Sequence, residues 1–257
     1  MTYQSGNEIF LQPSLHIVYR ISSDSSEIMM ADATSQLEPG NDADLQAFID
    51  SVRADVAHAG EVLTRTGTLA ASGIGFVLQR IPGQERSVLA NYADPWTGNL
   101  PITVINFDGS GDDKLAAVAD VMAGFQEVFV AHPEITTIIH IHTPYLGAYA
   151  HSHSEFPLLY AAVARHTLSR VMPVLIDRRP SEGALIIDHL KRDPHLRGVI
   201  EGNGGATFWG DGIIPTNKFI LLAEEGAKCQ VLAAALGGTR QFGPAVLDEQ
   251  WSRTGLR

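Results

Sequence analysis

The sequence predicts an α/β sandwich built on a largely antiparallel sheet, and three observations carry that prediction. Strand-like and helical stretches are interspersed without strict strand–helix alternation. Three β-like runs, 75–80, 87–92 and 102–107, follow one another with Pro, Gly, Asn and Asp between them, as in an antiparallel meander. Residues 198–209 read as a hairpin, two apolar runs around the turn signal Asn203-Gly204.

Taken in order, residues 1–41 mix short apolar runs such as 15–19 with polar text, and read as an N-terminal extension of one or two peripheral strands packed on the domain. Residues 42–257 read as one domain, without an internal repeat or linker. Asn41 or Asp42 can cap a helix in which Leu45, Phe48, Ile49, Val52, Val56 and Leu63 recur at helical spacing, and Gly67 ends it. After the meander, Leu115, Val118, Met122, Phe125 and Phe129 share one face of a helix over 113–131, which Pro133 terminates. A β-branched strand covers 135–142 and breaks at Thr143-Pro144. A helix over 157–168, a strand over 171–176 and a helix over 181–191 follow. The last long helix spans 216–236 and stops at Gly237-Gly238, with Glu224, Glu225 and Lys228 marking its solvated side.

The chain has 257 residues, with 18 Lys and Arg against 29 Asp and Glu, for a net charge of −11. That balance argues against nucleic-acid binding, which rests on clustered cations. No stretch is apolar enough to span a bilayer, and the start of the chain carries no signal-peptide pattern, so no membrane partner and a cytoplasmic location are expected. The single Cys229 excludes an intrachain disulfide and a Cys-rich zinc site.

The most informative text is Ile138-Ile139-His140-Ile141-His142-Thr143-Pro144. Strand side chains alternate, so His140 and His142 project to one side and Ile139 and Ile141 to the other, into a core. Two imidazoles at i and i+2 near a strand end form a bidentate metal platform. On spacing alone they read equally as polar residues on a solvated strand face. A catalytic zinc needs a third ligand, for which His153 or His151 is available in the loop that follows, water being the other choice.

The stretch TTIIHIHTPYLGAYA resembles the metal-binding segment of the class II aldolase/adducin family, a β-branched strand running into His-x-His-Ser/Thr. HPEITTIIH is similar to the family's lead-in, LRGVIEGNGGATFWGDG to its hairpin, and AEEGAKCQVLAAALGG to its closing helix. The similarity covers about residues 42–242 and implies a three-layer α/β/α sandwich. It also implies a divalent metal, usually zinc, held by three His, with a Glu as acid/base and the metal polarising a carbonyl. A homotetramer with active sites at subunit interfaces is the implied assembly.

Carried over residue by residue, His140 and His142 match the first two ligands. The third His falls on Gly204 and the catalytic Glu on Val121, with Asp120 and Glu127 as poor replacements by helix geometry. The phosphate-binding turn corresponds to Ala71-Ser72-Gly73-Ile74-Gly75, its glycines kept and its Asn lost; Ser72, Gly73, Gly75 and the turn residue Asn203 are the candidate substrate-binding positions. The resembled aldolases use a Tyr after the His-x-His as proton donor, which assigns Tyr160 ahead of Tyr145, with Glu155 as the second candidate catalytic group. His140, His142 and His153 are the candidate metal ligands.

Two functions follow. One is a divergent metal-dependent lyase, performing aldol cleavage or decarboxylation of a small carbonyl or hydroxy-acid substrate. The other is a catalytically silent adducin-like scaffold or small-molecule-binding protein.

Overall fold

The computed structural model describes residues 42–111, 119–177 and 179–257, all within one unit, Gln36–Arg257. The expected N-terminal extension, 1–41, and the expected start of the second helix lie outside the described residues. Helix α1, Asp42–Thr66, buries Val52, Val56, Ala59 and Leu63, the stripe its spacing dictates. Then come β1, Gly75–Arg80, β2, Arg86–Asn91, and β3, Ile102–Asn106, paired in sequence as an antiparallel meander.

Helix α2, Ala119–Ala131, leads into β4, Thr137–Ile141. Helix α3, Pro144–His151, follows directly; Pro144 occupies its first turn, where a missing N–H costs nothing. The proline that ends the strand therefore also starts a helix, which the sequence reading passed over. The expected helix over 157–168 shrinks to α4, Ala161–Ala164, because β5, Phe156–Pro157, takes the start of that stretch. The expected strand over 171–176 divides at Pro173 into β6, Val171–Met172, paired with β5, and β7, Val174–Leu175, in the main sheet. Helix α5, Glu182–Arg192, is capped by the Ser181 side chain on the Ala184 N–H. Strands β8, Gly198–Glu201, and β9, Ala206–Gly210, form the expected hairpin, with Asn203 at φ 57 in its turn. Helix α6, Ile213–Ala233, and helix α7, Pro244–Arg253, close the chain.

The main sheet has seven strands in the order β3-β2-β1-β4-β9-β8-β7, antiparallel except between β7 and β8. One face packs on α1, α3 and α6 through Val77, Ile139, Ile141, Phe208, Phe219 and Ile220. The other packs on α2 and α5 through Leu78, Phe125, Ile138, Ile186, Val199 and Trp209. This is the expected three-layer α/β/α sandwich. Glu224, read from sequence as solvated, is instead buried. Its carboxylate accepts from Thr143 Oγ1 at 2.8 Å and from the N–H groups of Tyr145 at 2.6 Å and Leu146 at 2.8 Å, capping α3 from α6.

Candidate metal centre

Alternation along β4 sends Ile139 and Ile141 into the α1/α3/α6 core and turns His140 toward the α2/α5 side. There its ring stacks on Phe76, its cross-strand partner on β1, at 5.3 Å and 18°. On the other flank, Thr207 of β9 is its cross-strand partner, with Oγ1 3.1 Å from His140 Nδ1. One strand further, Glu201 ends β8 with Oε1 2.7 Å from the same nitrogen, and the Thr207 hydroxyl donates to that carboxyl at 2.9 Å. Glu182, at the first turn of α5, completes the group. One ligand atom each from His140, Glu182 and Glu201 lie within 4.8 Å of one another, the one such group among the described residues.

Burial alone would raise the Glu201 carboxyl. The hydrogen bond and charge of His140, then hydrogen bonds from Glu182 and Thr207, reverse that and hold it at about 2. Two carboxyls in hydrogen-bonding contact stay together only if a proton or a cation lies between them. The donor set, one imidazole and two carboxyls, matches the charge and ligand preferences of a borderline divalent cation, so these residues fit the metal that the fold implies. The centre opens onto a cleft of about 330 Å³ lined by Asp120, Val121, Leu175, Arg179, Glu182 and Glu201. Arg179 pairs there with Asp177 at 2.7 Å, which lowers the Asp177 carboxyl.

His142 follows β4 with its ring centroid 5.4 Å from that of His140. It does not belong to the three-residue group. Its main chain bonds the 70–75 turn, through its N–H to Ile74 O at 3.1 Å and from Ala70 N–H to its own carbonyl at 2.9 Å. Ser72, Gly73 and Gly75 are thereby brought to the strand end that carries His142. The β8–β9 turn reaches the same place: a Cβ on Gly205 would lie 2.5 Å from Ile141 O and 2.8 Å from His142 Cδ2. The β8–β9 turn, with glycine at 204, thus abuts the strand end at His142. His153, the expected third ligand, is exposed and places Nε2 2.5 Å from Asn203 Oδ1.

The two candidate catalytic groups stand apart from the three-residue group. Glu155 is exposed, and its charge acts on His189 of α5. Tyr160 packs with the α1/α3/α6 cluster and donates to Glu225 Oε2 at 3.0 Å, a hydrogen bond that raises its hydroxyl. Asp120, set aside from sequence because it and Val121 should diverge, lines the cleft beside Val121. The exposed Glu127 is not among the cleft residues. Glu182 and Glu201 were missed from sequence. Glu201 did leave a trace, a lone acid in an otherwise apolar strand before the hairpin turn; Glu182 follows a helix cap, where acids are ordinary.

A profile of the Class II Aldolase and Adducin N-terminal domain matches residues 100–231. The chain belongs to the class II aldolase and adducin family. Among solved structures, an L-fuculose 1-phosphate aldolase is 16% identical, with a TM-score of 0.62 over 80% of this chain and 96% of that one. The L-fuculose 1-phosphate aldolase of Glaciozyma antarctica PI12 is 17% identical, with a TM-score of 0.61 over 84% of this chain and 86% of its own. YgbL of Escherichia coli is 18% identical, with a TM-score of 0.59 over 79% of this chain and 99% of its own. At such identities the likeness is one of fold. No curated protein sequence matches the chain. Within the family's fold, this member sets two carboxyls beside His140.

Proposed function

We propose that the chain is a divergent metal-dependent carbon–carbon lyase that cleaves a small carbonyl or hydroxy-acid substrate, by aldol cleavage or decarboxylation. The observation behind this reading is one imidazole and two carboxyls meeting at a cleft in a chain of this family. His140, Glu182 and Glu201 would hold the divalent cation, with zinc the expected ion. Bound there, it would supply Lewis-acid polarisation of a substrate oxygen. Glu201 orients the His140 ring through Nδ1, and Thr207 steadies the Glu201 carboxyl. Phe76 shields one face of the imidazole from water. Asp120, beside the position where the family's Glu is replaced by Val121, is the carboxyl assigned to proton transfer. Arg179 is the cation lining the cleft and would pair with a substrate acid group, which favours a hydroxy or keto acid. The adducin-like scaffold gains no support from such a cluster.

Tag-free protein should bind about one equivalent of zinc by elemental analysis, and the Glu182→Ala/Glu201→Ala double variant less than about one-tenth. Binding below about one-tenth equivalent in the parent chain, with zinc added, would overturn the metal reading. Release of carbon dioxide or a carbonyl product from a panel of small hydroxy and keto acids tests the lyase; no turnover across the panel and across sugar phosphates counts against it. A homotetramer is also proposed, supported by Val231, Leu232 and Leu236, which stand exposed at and just beyond the C-terminal end of α6. A light-scattering mass of one 27.7 kDa chain would refute it.

A further inference from the structure

A second cavity, of about 430 Å³, lies against α6 and shares no lining residue with the cleft at Glu182 and Glu201. Its floor is one face of that helix: Pro215, Lys218, Phe219 and Leu222 recur at i, i+3, i+4 and i+7. Its wall is Arg197, just before β8, and His166, just after α4. The Arg197 guanidinium lies over the Phe219 ring at 4.5 Å from its centroid, and its one polar side-chain contact among the described residues is a long 3.4 Å hydrogen bond to the His166 carbonyl. Among the described residues neither Arg197 nor Lys218 has a carboxylate ion-pair partner.

No acidic side chain lines the cavity. Burial lowers Arg197, with no acid acting to restore it. His166 is lowered by burial and then by Arg197 and Arg165. The first turn of α6, beside the cavity, carries no acidic residue. Such an acid-free recess is unexpected in a chain of net charge −11. A half-buried guanidinium without a counter-charge is costly, and a bound anion would remove that cost.

We propose that this cavity binds an amphipathic organic anion, with its acid head on Arg197 and Lys218 and its apolar body along Phe219 and Leu222. The apolar floor favours one acid group on a hydrocarbon or aromatic body over a compact inorganic anion, which would leave Phe219 and Leu222 uncovered. The volume suits a small molecule. This site does not depend on the metal centre.

Isothermal titration calorimetry of the full chain provides the test, with octanoate, octan-1-ol, octylammonium and inorganic phosphate as probes. Octanoate should bind with one-site saturation, at least about ten-fold tighter than octanol and weaker as salt rises; octylammonium should not bind, and phosphate should not displace octanoate. Arg197→Met should weaken octanoate at least about ten-fold, and the exposed Lys218→Glu should do the same, with zinc content unchanged in both. Lys218→Glu keeps the test decisive if Arg197→Met fails to fold. Equal binding of octanoate and octanol, displacement by phosphate at equal affinity, or unchanged octanoate affinity in Lys218→Glu would overturn the proposal.

Discussion

Substituting Gly183 by alanine should disturb the candidate metal centre without touching a ligand. Gly183 lies in the first turn of α5, next to Glu182, where α5 crosses α2. A Cβ at Gly183 would lie 1.6 Å from the Gly124 carbonyl oxygen. Ordinary van der Waals contact begins at about 3.4 Å, so the two helices would have to part by roughly 1.5–2 Å. Main chain meets main chain here, and no rotamer can relieve the overlap. Overpacking of this kind costs about 1–3 kcal/mol, and the rigid contact puts Gly183→Ala at the upper end. At about 2–4 °C per kcal/mol for a domain of this size, thermal unfolding should fall by about 5–10 °C. The same displacement carries Glu182 away from His140 and Glu201, beyond the ~0.5 Å tolerance of a working site, so zinc affinity should fall about 10- to 100-fold. Gly124→Ala is the internal contrast: its Cβ would meet the Ser181 Cβ at 3.2 Å, which a local shift of a few tenths of an ångström relieves, so its cost should stay below about 1 kcal/mol. Scanning calorimetry and a competitive zinc chelator measure both quantities. Parent-like melting and zinc affinity in Gly183→Ala, or a larger loss in Gly124→Ala, would refute the close-contact argument.

Glu224→Ala removes the acceptor of two α3 N–H groups and the Thr143 hydroxyl, and should cost about 3 kcal/mol in urea denaturation; a loss under ~1 kcal/mol would deny the capping role. Burial raises the Glu224 carboxyl, and the hydrogen bonds and Lys228 offset only part of that. A raised acid stabilises the fold fully below the ordinary carboxylate range and loses that contribution as pH climbs through the folded value, so the parent should lose stability relative to Glu224→Gln across that window; parallel pH profiles would contradict this. Tyr92→Phe deletes the 2.7 Å hydrogen bond to Asn217 Oδ1 and should cost about 1–2 kcal/mol, read as a lower urea midpoint at unchanged m; an unshifted midpoint would show that the bond contributes nothing. Dialysis against a chelator should lower the melting temperature and added zinc should restore it, whereas identical curves would separate the metal from folding.

Much of the architecture was legible because its causes are local. The α1 stripe, the meander, the β-branched strand with His140 and His142, and the Asn203 hairpin each follow from spacing or turn chemistry within a few residues. Family resemblance then supplied the layer order that local pattern cannot. The errors came where one residue serves two elements or where a partner lies far along the chain. Pro144 ends a strand and starts a helix, and Pro173 moves a short run between two sheets. Glu224 looks solvated by helix period, and only the docking of α3 on α6 makes it a buried cap.

The candidate site divides the same way. By itself the sequence placed His140 and His142 together at the end of one strand and pointed to the family. Tertiary structure decided what stands beside His140. Strand order β4-β9-β8 carries Glu201 to its Nδ1 through Thr207, and the packing of α5 on α2 at Gly183 and Gly124 delivers Glu182. Neither carboxyl lies within a helix turn or strand repeat of His140, so no local period could reveal them. Their meeting is a property of sheet order and helix crossing, where long-range packing sets which distant side chains share one cleft.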